Sequence, residues 1–235
     1  MKVTKTVKEL QKLIEDMNLR PLGIVPTMGA LHRGHLSLVT NAISNCPLVV
    51  VSIYVNPAQF NDTQDLKNYP RNIKADLNLL NDVLRENDIV FTPDDKEIYP
   101  EPDNRVFNFG NPGNVMEAFH RPGHFDGVAR VVSRLFDIVC PDVAFFGIKD
   151  LQQVAVIKEL VRQKDYQIRI EGNPIIRESD GLAMSSRNAL LEPDYRKKAP
   201  VIYKTISAAS ATLPVRDIPE IREFVKKTIE KTGPF

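Results

Sequence analysis

"PTMGALHRGHLSLV", residues 26–39, joins an apolar run to a helical pattern and contains two of the chain's four histidines. The run that precedes it, Leu22 to Pro26, predicts a short strand, and Leu38, Val39 and Ile43 predict a helix. A strand that turns through glycine into a helix directs free backbone N–H groups and the positive end of the helix dipole toward the loop. The stretch therefore predicts a phosphate-binding loop at the edge of a sheet.

Strands and helices alternate through the first three quarters of the chain. Apolar runs predict strands at 22–26, 48–55, 88–93 and 143–147, with shorter ones at "RVFNF" (105–109), "IRI" (168–170) and "NPIIRE" (173–178). Apolar stripes at helical spacing predict helices at 7–17, 34–46, 73–84, 128–139 and 154–160. This alternation is typical of an α/β fold, a mostly parallel sheet with helices on both faces. After residue 175 the pattern is helical only, so we predict one domain at 1–175 and a second, mainly helical one at 176–235.

Composition and charge exclude several classes of protein. The 235 residues include 31 Lys plus Arg and 30 Asp plus Glu, so no bulk charge attracts nucleic acid or a membrane surface. No apolar run approaches the roughly 20 residues of a bilayer span, and the N-terminus lacks the apolar core of a signal peptide. Cys46 and Cys140 are too few for a disulfide framework, and we expect both to be buried. We therefore expect a cytoplasmic protein without nucleic-acid or membrane partners.

Three unusual loops each follow an apolar strand. They are "PTMGALHRGH" (26–35), "NPAQF" (56–60) and "GIKDLQQ" (147–153). Because ligands bind beyond the carboxyl ends of the strands in open parallel sheets, we expect the three loops to form one site.

The two histidines of the first loop suit a phosphoryl-transfer site. His32 and His35 are three residues apart near a helix start, so they would lie on one face and could donate to phosphoryl oxygens as charge develops. The residues alone leave two alternatives open. His120 and His124 could complete a metal site with them, or the pair could be ordinary surface histidines.

The motifs resemble those of the pantothenate synthetase (pantoate–β-alanine ligase) family. The resemblance covers residues 1–190 and rests on "PTMGALHRGHLSLV", "VSIYVNPAQF", "NYPR", "RPGHFDGVARVV", "FFGIKDLQQ" and "GLAMSSRN", in the family's order. The His-x-Gly-His element is shared more loosely with class I aminoacyl-tRNA synthetases and related nucleotidyltransferases.

The resemblance implies a fold, a reaction and partners. The reaction joins pantoate to β-alanine with ATP and Mg²⁺ through a pantoyl adenylate, and it releases AMP and pyrophosphate. The fold is a Rossmann-like nucleotide-binding domain followed by a C-terminal lid domain, and family members are usually homodimers. Comparatively few residues follow "SSRN" here, so the lid at 176–235 is expected to be incomplete and its closure impaired.

Three segments are implied to bind ATP. They are Met28, Gly29, Ala30, Leu31, His32, Arg33, Gly34 and His35; then Gly147, Ile148, Lys149 and Asp150; and then Ile176, Met184, Ser185, Ser186 and Arg187. Within them the resemblance gives catalytic roles to His35, His32, Lys149 and Arg187. Ile148 departs from the family, which usually has Glu at this position, so no role is assigned to that side chain.

The remaining site residues are implied for the other substrates. Gln59 would bind both pantoate and β-alanine, and Gln153, Arg121 and His124 would bind pantoate. Amides suit hydroxyl and carboxylate groups because they offer a donor and an acceptor without adding charge. Asp76 is the carboxylate expected to approach Mg²⁺, through water.

Two other functions stay open at this point. A nucleotidyltransferase acting on a phosphorylated acceptor would need cationic groups where "NPAQF" and "DLQQV" offer neutral amides. A nucleotide-binding module without catalysis would not need the full set of candidate catalytic side chains. The sequence favours the ligase.

Overall fold

The computed structural model describes residues 1–213 and 217–233. The chain divides into two compact units, Met1–Pro174 and Ile175–Phe235. The strands are β1 (Lys2–Thr4), β2 (Leu22–Thr27), β3 (Leu48–Ile53), β4 (Ile89–Phe91), β5 (Val143–Gly147) and β6 (Arg169–Asn173). The α-helices of the described residues are α1 (Val7–Met17), α2 (Arg33–Asn45), α3 (Thr63–Asn68), α4 (Ile73–Asn81), α5 (Asp95–Ile98), α6 (Glu117–His120), α7 (His124–Val139), α8 (Leu151–Gln163), α9 (Pro193–Lys198), α10 (Pro200–Ala211) and α11 (Ile218–Thr232).

The first unit contains one parallel sheet in the strand order β1-β4-β3-β2-β5-β6. From β2 the chain adds β3 and β4 on one side, and β5 and β6 then lie on the other side. The strand order thus reverses between β2 and β5, which is the point where open parallel sheets bind their ligands. The predicted α/β architecture is confirmed.

Both faces of the sheet are covered by helices. Alternate strand residues point to opposite faces, so Ile24 packs in the cluster that includes α1, α7 and α8, while Val25 packs in the cluster that includes α2 and α4. Burial on both faces explains why the central strands read as continuous apolar runs rather than as alternating patterns.

The strand predicted at "RVFNF" is wrong. Residues 105–109 form no ladder, because their backbone groups bind side chains of α7 instead. The Phe107 N–H donates to the Asp126 carboxylate at 2.9 Å, and Arg130 Nε donates to the Arg105 carbonyl at 2.7 Å. The segment is therefore an extended loop fastened to a helix.

The strand predicted at "NPIIRE" is also wrong. The sixth strand ends at Asn173, and in the described part of the chain beyond it an isolated antiparallel bridge joins Arg177 and Ala183. Pro174 has no N–H to donate to a ladder, which explains the end of the strand.

The two cysteines have different environments. Cys46 is buried as predicted, whereas Cys140 is exposed, so that prediction is wrong. Cys140 ends α7 in a left-handed conformation (φ 48°), and the reversal of the chain there leaves its side chain at the surface.

The second unit consists of a tight bend followed by helices. The Met184 N–H donates to the Ile176 carbonyl at 3.0 Å, and the Arg177 guanidinium lies 3.5 Å from the centre of the Tyr203 ring. Helices α10 and α11 pack together. None of the helices in the described ranges combines the length and the apolar composition that crossing a membrane would require.

Candidate active site

The loop after β2 turns through two residues in the left-handed region. Gly29 has φ 77° and Ala30 has φ 47°. A Cβ atom on Gly29 would lie 2.9 Å from Asp76 Oδ2 and 3.0 Å from Ile53 Cγ2, so no larger residue fits. Thr27 Oγ1 accepts a hydrogen bond from the Gly29 N–H at 3.2 Å and fastens the start of the loop.

Asp76 holds the middle of this loop. Its side chain is buried in the first turn of α4, where the helix dipole favours a carboxylate. Asp76 Oδ2 accepts from the Ala30 N–H at 3.0 Å, and Oδ1 accepts from the Leu31 N–H at 2.7 Å. Sequence reasoning connected Asp76 with Mg²⁺. The geometry shows that Asp76 also fixes the loop backbone, and its approach to Mg²⁺ through water stays a prediction.

His32 and His35 form a reciprocal cap at the start of α2. His32 Nδ1 accepts from the Gly34 N–H at 3.1 Å, and His35 Nδ1 accepts from the His32 N–H at 3.3 Å. The ring centres are 4.1 Å apart. An imidazole that accepts through Nδ1 and is neutral carries its proton on Nε2. The capping contacts therefore select the tautomer that has an Nε2–H to donate.

The electrostatic surroundings keep His35 neutral. Burial, then the neighbouring His32 and Lys149, lower the pKa of His35 to about 3. His35 is therefore a hydrogen-bond donor rather than a proton carrier at neutral pH. The loop after β5, which carries Lys149, lies at the same edge of the sheet as the loop after β2, because β2 and β5 are adjacent parallel strands.

The loop after β5 presents a cation. Lys149 Nζ pairs with Asp150 Oδ1 at 2.8 Å, and both side chains are well exposed. Ile148 is more than a third exposed and lies against Gly172, where an added Cβ would come within 3.0 Å of Ile148 Cγ2. The residue that departs from the family pattern thus covers the end of β6.

Gln59 is buried, and its amide orientation is fixed by Asn56. The Ala58 N–H donates to Asn56 Oδ1 at 3.3 Å, and Asn56 Nδ2 donates to the Gly127 carbonyl at 3.0 Å. These backbone groups leave one possible orientation for the Asn56 amide. Asn56 Nδ2 then donates to Gln59 Oε1 at 3.2 Å, so Gln59 directs its NH₂ group toward Met28. Sequence reasoning missed Asn56, although "NPAQF" contains it.

Helix α7 packs against the turn that carries Gln59. A Cβ on Gly127 would lie 2.2 Å from the Ala58 carbonyl oxygen, so only glycine permits this approach. His124 Nδ1 lies 2.7 Å from the Gln59 carbonyl oxygen and donates to it. Its Nε2 lies 3.3 Å from Arg121 Nη1, and burial lowers the pKa of His124. His124 is therefore neutral and bonds to the backbone of Gln59.

The two glutamines at the start of α8, Gln152 and Gln153, differ in their contacts. Gln153 is partly buried. Gln152 accepts from the Glu117 N–H at 3.1 Å and donates to the carbonyls of Pro112 and Val115. Gln152, which sequence reasoning did not single out, ties the loop before α6 to α8.

The third predicted nucleotide segment belongs to the second unit. Ser185 Oγ accepts from the Arg187 N–H at 3.3 Å and caps a short 3₁₀ turn, Ser186–Leu190. Met184 is buried. The structure thus brings together the first two predicted ATP segments and Gln59 at one sheet edge of the first unit, and it gives Arg187 and its neighbours a local turn of their own.

The described residues offer no pre-built metal centre. No three His, Cys, Asp or Glu side chains among them come together as metal ligands, so the alternative of a four-histidine site has no support there.

The sheet order and the loops at its switch point define the chain as an α/β protein of the Rossmann-like, nucleotidyltransferase-like class. Comparison with known proteins is more specific. A family model described as pantoate-β-alanine ligase matches residues 2–234. The chain therefore belongs to the pantoate–β-alanine ligase family, as its motifs indicate.

Similar proteins agree along nearly the whole chain. The pantothenate synthetase of Bacteroides thetaiotaomicron is 46% identical over 232 residues, which are 98% of this chain and 82% of that protein. A crystal structure of pantothenate synthetase from Thermus thermophilus matches with a TM-score of 0.92 at 40% identity, and it covers 98% of this chain and 83% of that one. A pantoate-β-alanine ligase from Francisella tularensis, complexed with β-γ ATP and β-alanine, matches with a TM-score of 0.85 at 34% identity over 97% and 86% of the two chains.

Proposed function

We propose that this chain condenses pantoate with β-alanine at the expense of ATP and forms pantothenate, AMP and pyrophosphate through a pantoyl adenylate. The observation that carries the proposal is a histidine pair that caps α2, with His35 neutral, and a buried, oriented glutamine amide at the same edge of a parallel sheet. The family membership and the ligands of the Francisella relative support the same substrates.

In the first step a pantoate carboxylate oxygen attacks the α-phosphorus of ATP, and the bond to the pyrophosphate oxygen breaks. The Nε2–H groups of His32 and His35 would donate to phosphoryl oxygens, where negative charge grows in the transition state. Lys149 would neutralise the leaving pyrophosphate. Since burial, His32 and Lys149 lower the pKa of His35 to about 3, it would act by hydrogen bonding rather than by proton transfer.

In the second step the β-alanine amine attacks the acyl carbon of the adenylate, AMP leaves, and the nitrogen loses a proton. Gln59 would hold both acids in turn, because Asn56 fixes its amide with the NH₂ group directed toward Met28 in the loop after β2. Gln153 would provide a second amide for pantoate. The adenylate is itself the activated species, so no side-chain nucleophile is required.

Arg121 and His124 have a different part in this proposal. Arg121 Nη2 and His124 Nδ1 lie 3.4 Å and 2.7 Å from the Gln59 carbonyl oxygen. By bonding to the backbone of Gln59 they would position its side chain to bind pantoate. Their predicted contact with pantoate itself is retained as a proposal.

Magnesium is proposed to act as the complex with ATP. Mg²⁺ is typically held by one or two carboxylates together with substrate phosphates, so the lack of an all-protein cluster among the described residues suits it. Asp76 is the buried carboxylate beside the loop, but both of its oxygens already accept backbone N–H groups. Bound Mg²⁺ would neutralise phosphate charge.

The second unit is proposed to act as the lid. Ser185, Ser186 and Arg187 would close on the triphosphate, since a guanidinium binds phosphate with planar, forked donors. Ile176 would contact adenine through its backbone. We further propose, from the family resemblance, that the protein is a homodimer and works in the cytoplasm.

Labelled pyrophosphate should exchange into ATP when pantoate and Mg²⁺ are present and β-alanine is absent. This result is expected because the adenylate forms reversibly before the amine is needed. The exchange is measured as label recovered in ATP, alongside pantothenate formed with all three substrates.

Omitting pantoate should abolish the exchange, since the α-phosphorus then has no attacking carboxylate. Exchange that requires β-alanine would contradict the order of steps. Pantothenate formation without any exchange would contradict the adenylate, and neither product nor exchange would favour a non-catalytic binding module.

Asp76→Asn tests whether the buried carboxylate serves the loop or the metal. The asparagine amide keeps one acceptor oxygen but turns its NH₂ group toward a backbone N–H, so one of the two hydrogen bonds to the loop backbone is lost. Hydrogen bonds to charged groups contribute about 1.5–3 kcal/mol, so kcat/KM for ATP should fall on the order of tenfold to a hundredfold. The Mg²⁺ concentration for half-maximal activity should not change.

Asp82→Asn is the matched control, because Asp82 is exposed at the end of the same helix. It should leave both quantities unchanged. A raised Mg²⁺ requirement in Asp76→Asn with an unchanged KM for ATP would instead assign Asp76 to the metal.

A further inference from the structure

Asn173 has a buried side-chain amide whose oxygen, Oδ1, lacks a hydrogen-bond partner within the described ranges. It is 3% exposed, and across the described ranges Asn173 Oδ1 and Ser52 Oγ are the buried side-chain polar atoms that lack a partner. Buried polar groups in native proteins are nearly always bonded, because an unsatisfied one costs desolvation free energy. Such an atom at a ligand-binding edge points to a ligand.

The position of Asn173 is at that edge. It is the last residue of β6 and pairs in the sheet with Gly147, which opens the second nucleotide loop. Carboxyl ends of parallel strands are where the ligand of such a sheet lies. Asn173 is thus next to the loop that carries Lys149.

The side chain of Asn173 points to the face of the sheet that α2 covers. The Cβ direction of Gly172 meets Ile148, and Ile170 packs in the cluster that includes α8. Because strand residues alternate, Asn173, three residues after Ile170, points to the opposite face from Ile170, which is the face on which Phe145 of β5 packs with α2. The unpartnered amide oxygen therefore lies at the carboxyl edge of the sheet, on the same face as α2, the helix that contains His35.

We infer that the Asn173 amide binds the adenine base of ATP and contributes to the preference for adenine over guanine. An amide presents a donor and an acceptor side by side, which match the exocyclic amine and a ring nitrogen of adenine. Guanine has an acceptor oxygen where adenine has the amine, so the same orientation would be mispaired. This inference rests on the proposed function, since it assigns a contact to the ATP of that reaction.

Asn173→Leu tests the inference because leucine has nearly the same shape and no polar atoms. Removing an unsatisfied buried amide should raise the melting temperature of the ligand-free protein by roughly 2–4 °C. The KM for ATP should rise about tenfold, the change for one lost hydrogen bond, and the ratio of kcat/KM for ATP to that for GTP should fall. A purely structural amide would not give a more stable protein with weaker nucleotide binding.

Ser52→Ala is the matched control. Ser52 is the other unpartnered buried group of the described ranges, and it lies on the face of β3 shared with Val50, which α7 covers. It should gain thermal stability with the KM for ATP unchanged. Asn173→Val, a smaller replacement suited to a strand, gives the same comparison if the leucine variant does not fold.

An unchanged KM for ATP in the Asn173 variants would overturn the inference, and so would a lowered melting temperature, which would mean that the amide has a structural partner. The same assay on the unaltered enzyme separates this failure from that of the proposed function. If the unaltered enzyme forms no pantothenate from ATP, the proposed function fails; if it does and the variants match it, only the role of Asn173 fails.

Discussion

His35→Ala should slow pantoyl adenylate formation on the order of a hundredfold to a thousandfold, as expected for the loss of one preorganised donor to a developing negative charge. The KM for ATP should change much less, because the ground-state triphosphate keeps its other contacts. Single-turnover measurement of adenylate or of pyrophosphate release checks this directly. An Ala variant with near-normal turnover would remove His35 from the mechanism.

The pH dependence separates a donor from a general base. With the pKa of His35 lowered to about 3, the histidine is neutral at pH 5 and above, and its contribution is lost only as pH falls toward 3. The pH profile of the adenylation rate near pH 6.5 should therefore have the same shape in the unaltered enzyme and in the Ala variant. His120→Ala is the control for removing a histidine, since His120 is exposed on α6, and it should leave the rate unchanged.

Gly127→Ala should be the most damaging change of a single methyl group. The added Cβ would lie 2.2 Å from the Ala58 carbonyl oxygen and 2.7 Å from Gln59 Cα, so the turn that carries Gln59 must move. Overpacking of this kind costs about 1–3 kcal/mol of folding stability. A displacement near 1 Å at a positioning residue can cost about a hundredfold in rate. We expect a lower melting temperature and a loss of about that size in kcat/KM for pantoate.

Affinity for ATP should survive better than pantoate turnover, because Gly127 supports the turn after β3 rather than the loop after β2. Gly113→Ala is a suitable control: its Cβ would meet only the Phe109 side chain, at 3.3 Å, outside the site. Equal losses for ATP and pantoate in Gly127→Ala would indicate general damage to the sheet and would contradict a specific role in placing Gln59.

The sequence predicted the central strands because their burial on both faces leaves long apolar runs that no helix periodicity explains. It did not predict β1, whose three residues, Lys2–Thr4, are too short for a pattern. The strand prediction at "RVFNF" was wrong because of contacts made elsewhere in the chain. Its alternating apolar residues suit a strand, but its backbone groups bind Asp126 and Arg130 on α7, and those contacts are invisible in the local sequence.

The loops of the site were predictable from their positions after strands, and the family from the order of their motifs. The supports behind them were not predictable. Asp76 bonds to Ala30 and Leu31 from a helix in another part of the chain, and Asn56 reaches the carbonyl of Gly127 across the turn. Such contacts depend on tertiary packing, so the residues around "YPR" did not reveal that Asp76 accepts hydrogen bonds from the backbone of the loop after β2.

The hydrogen bonds that residues 29–31 donate to Thr27 and Asp76 affect the conformational entropy that is lost when ATP binds. Asp76 and Thr27 hold the loop by hydrogen bonds within the protein, so its backbone order is acquired when the chain folds. Fixing one residue costs roughly 1–2 kcal/mol of conformational entropy, and here that cost is borne by folding rather than by binding. Fragments of ATP that bind weakly should therefore find residues 29–31 already in the binding conformation. Any ordering of the protein that accompanies ATP binding should then occur in other segments of the chain.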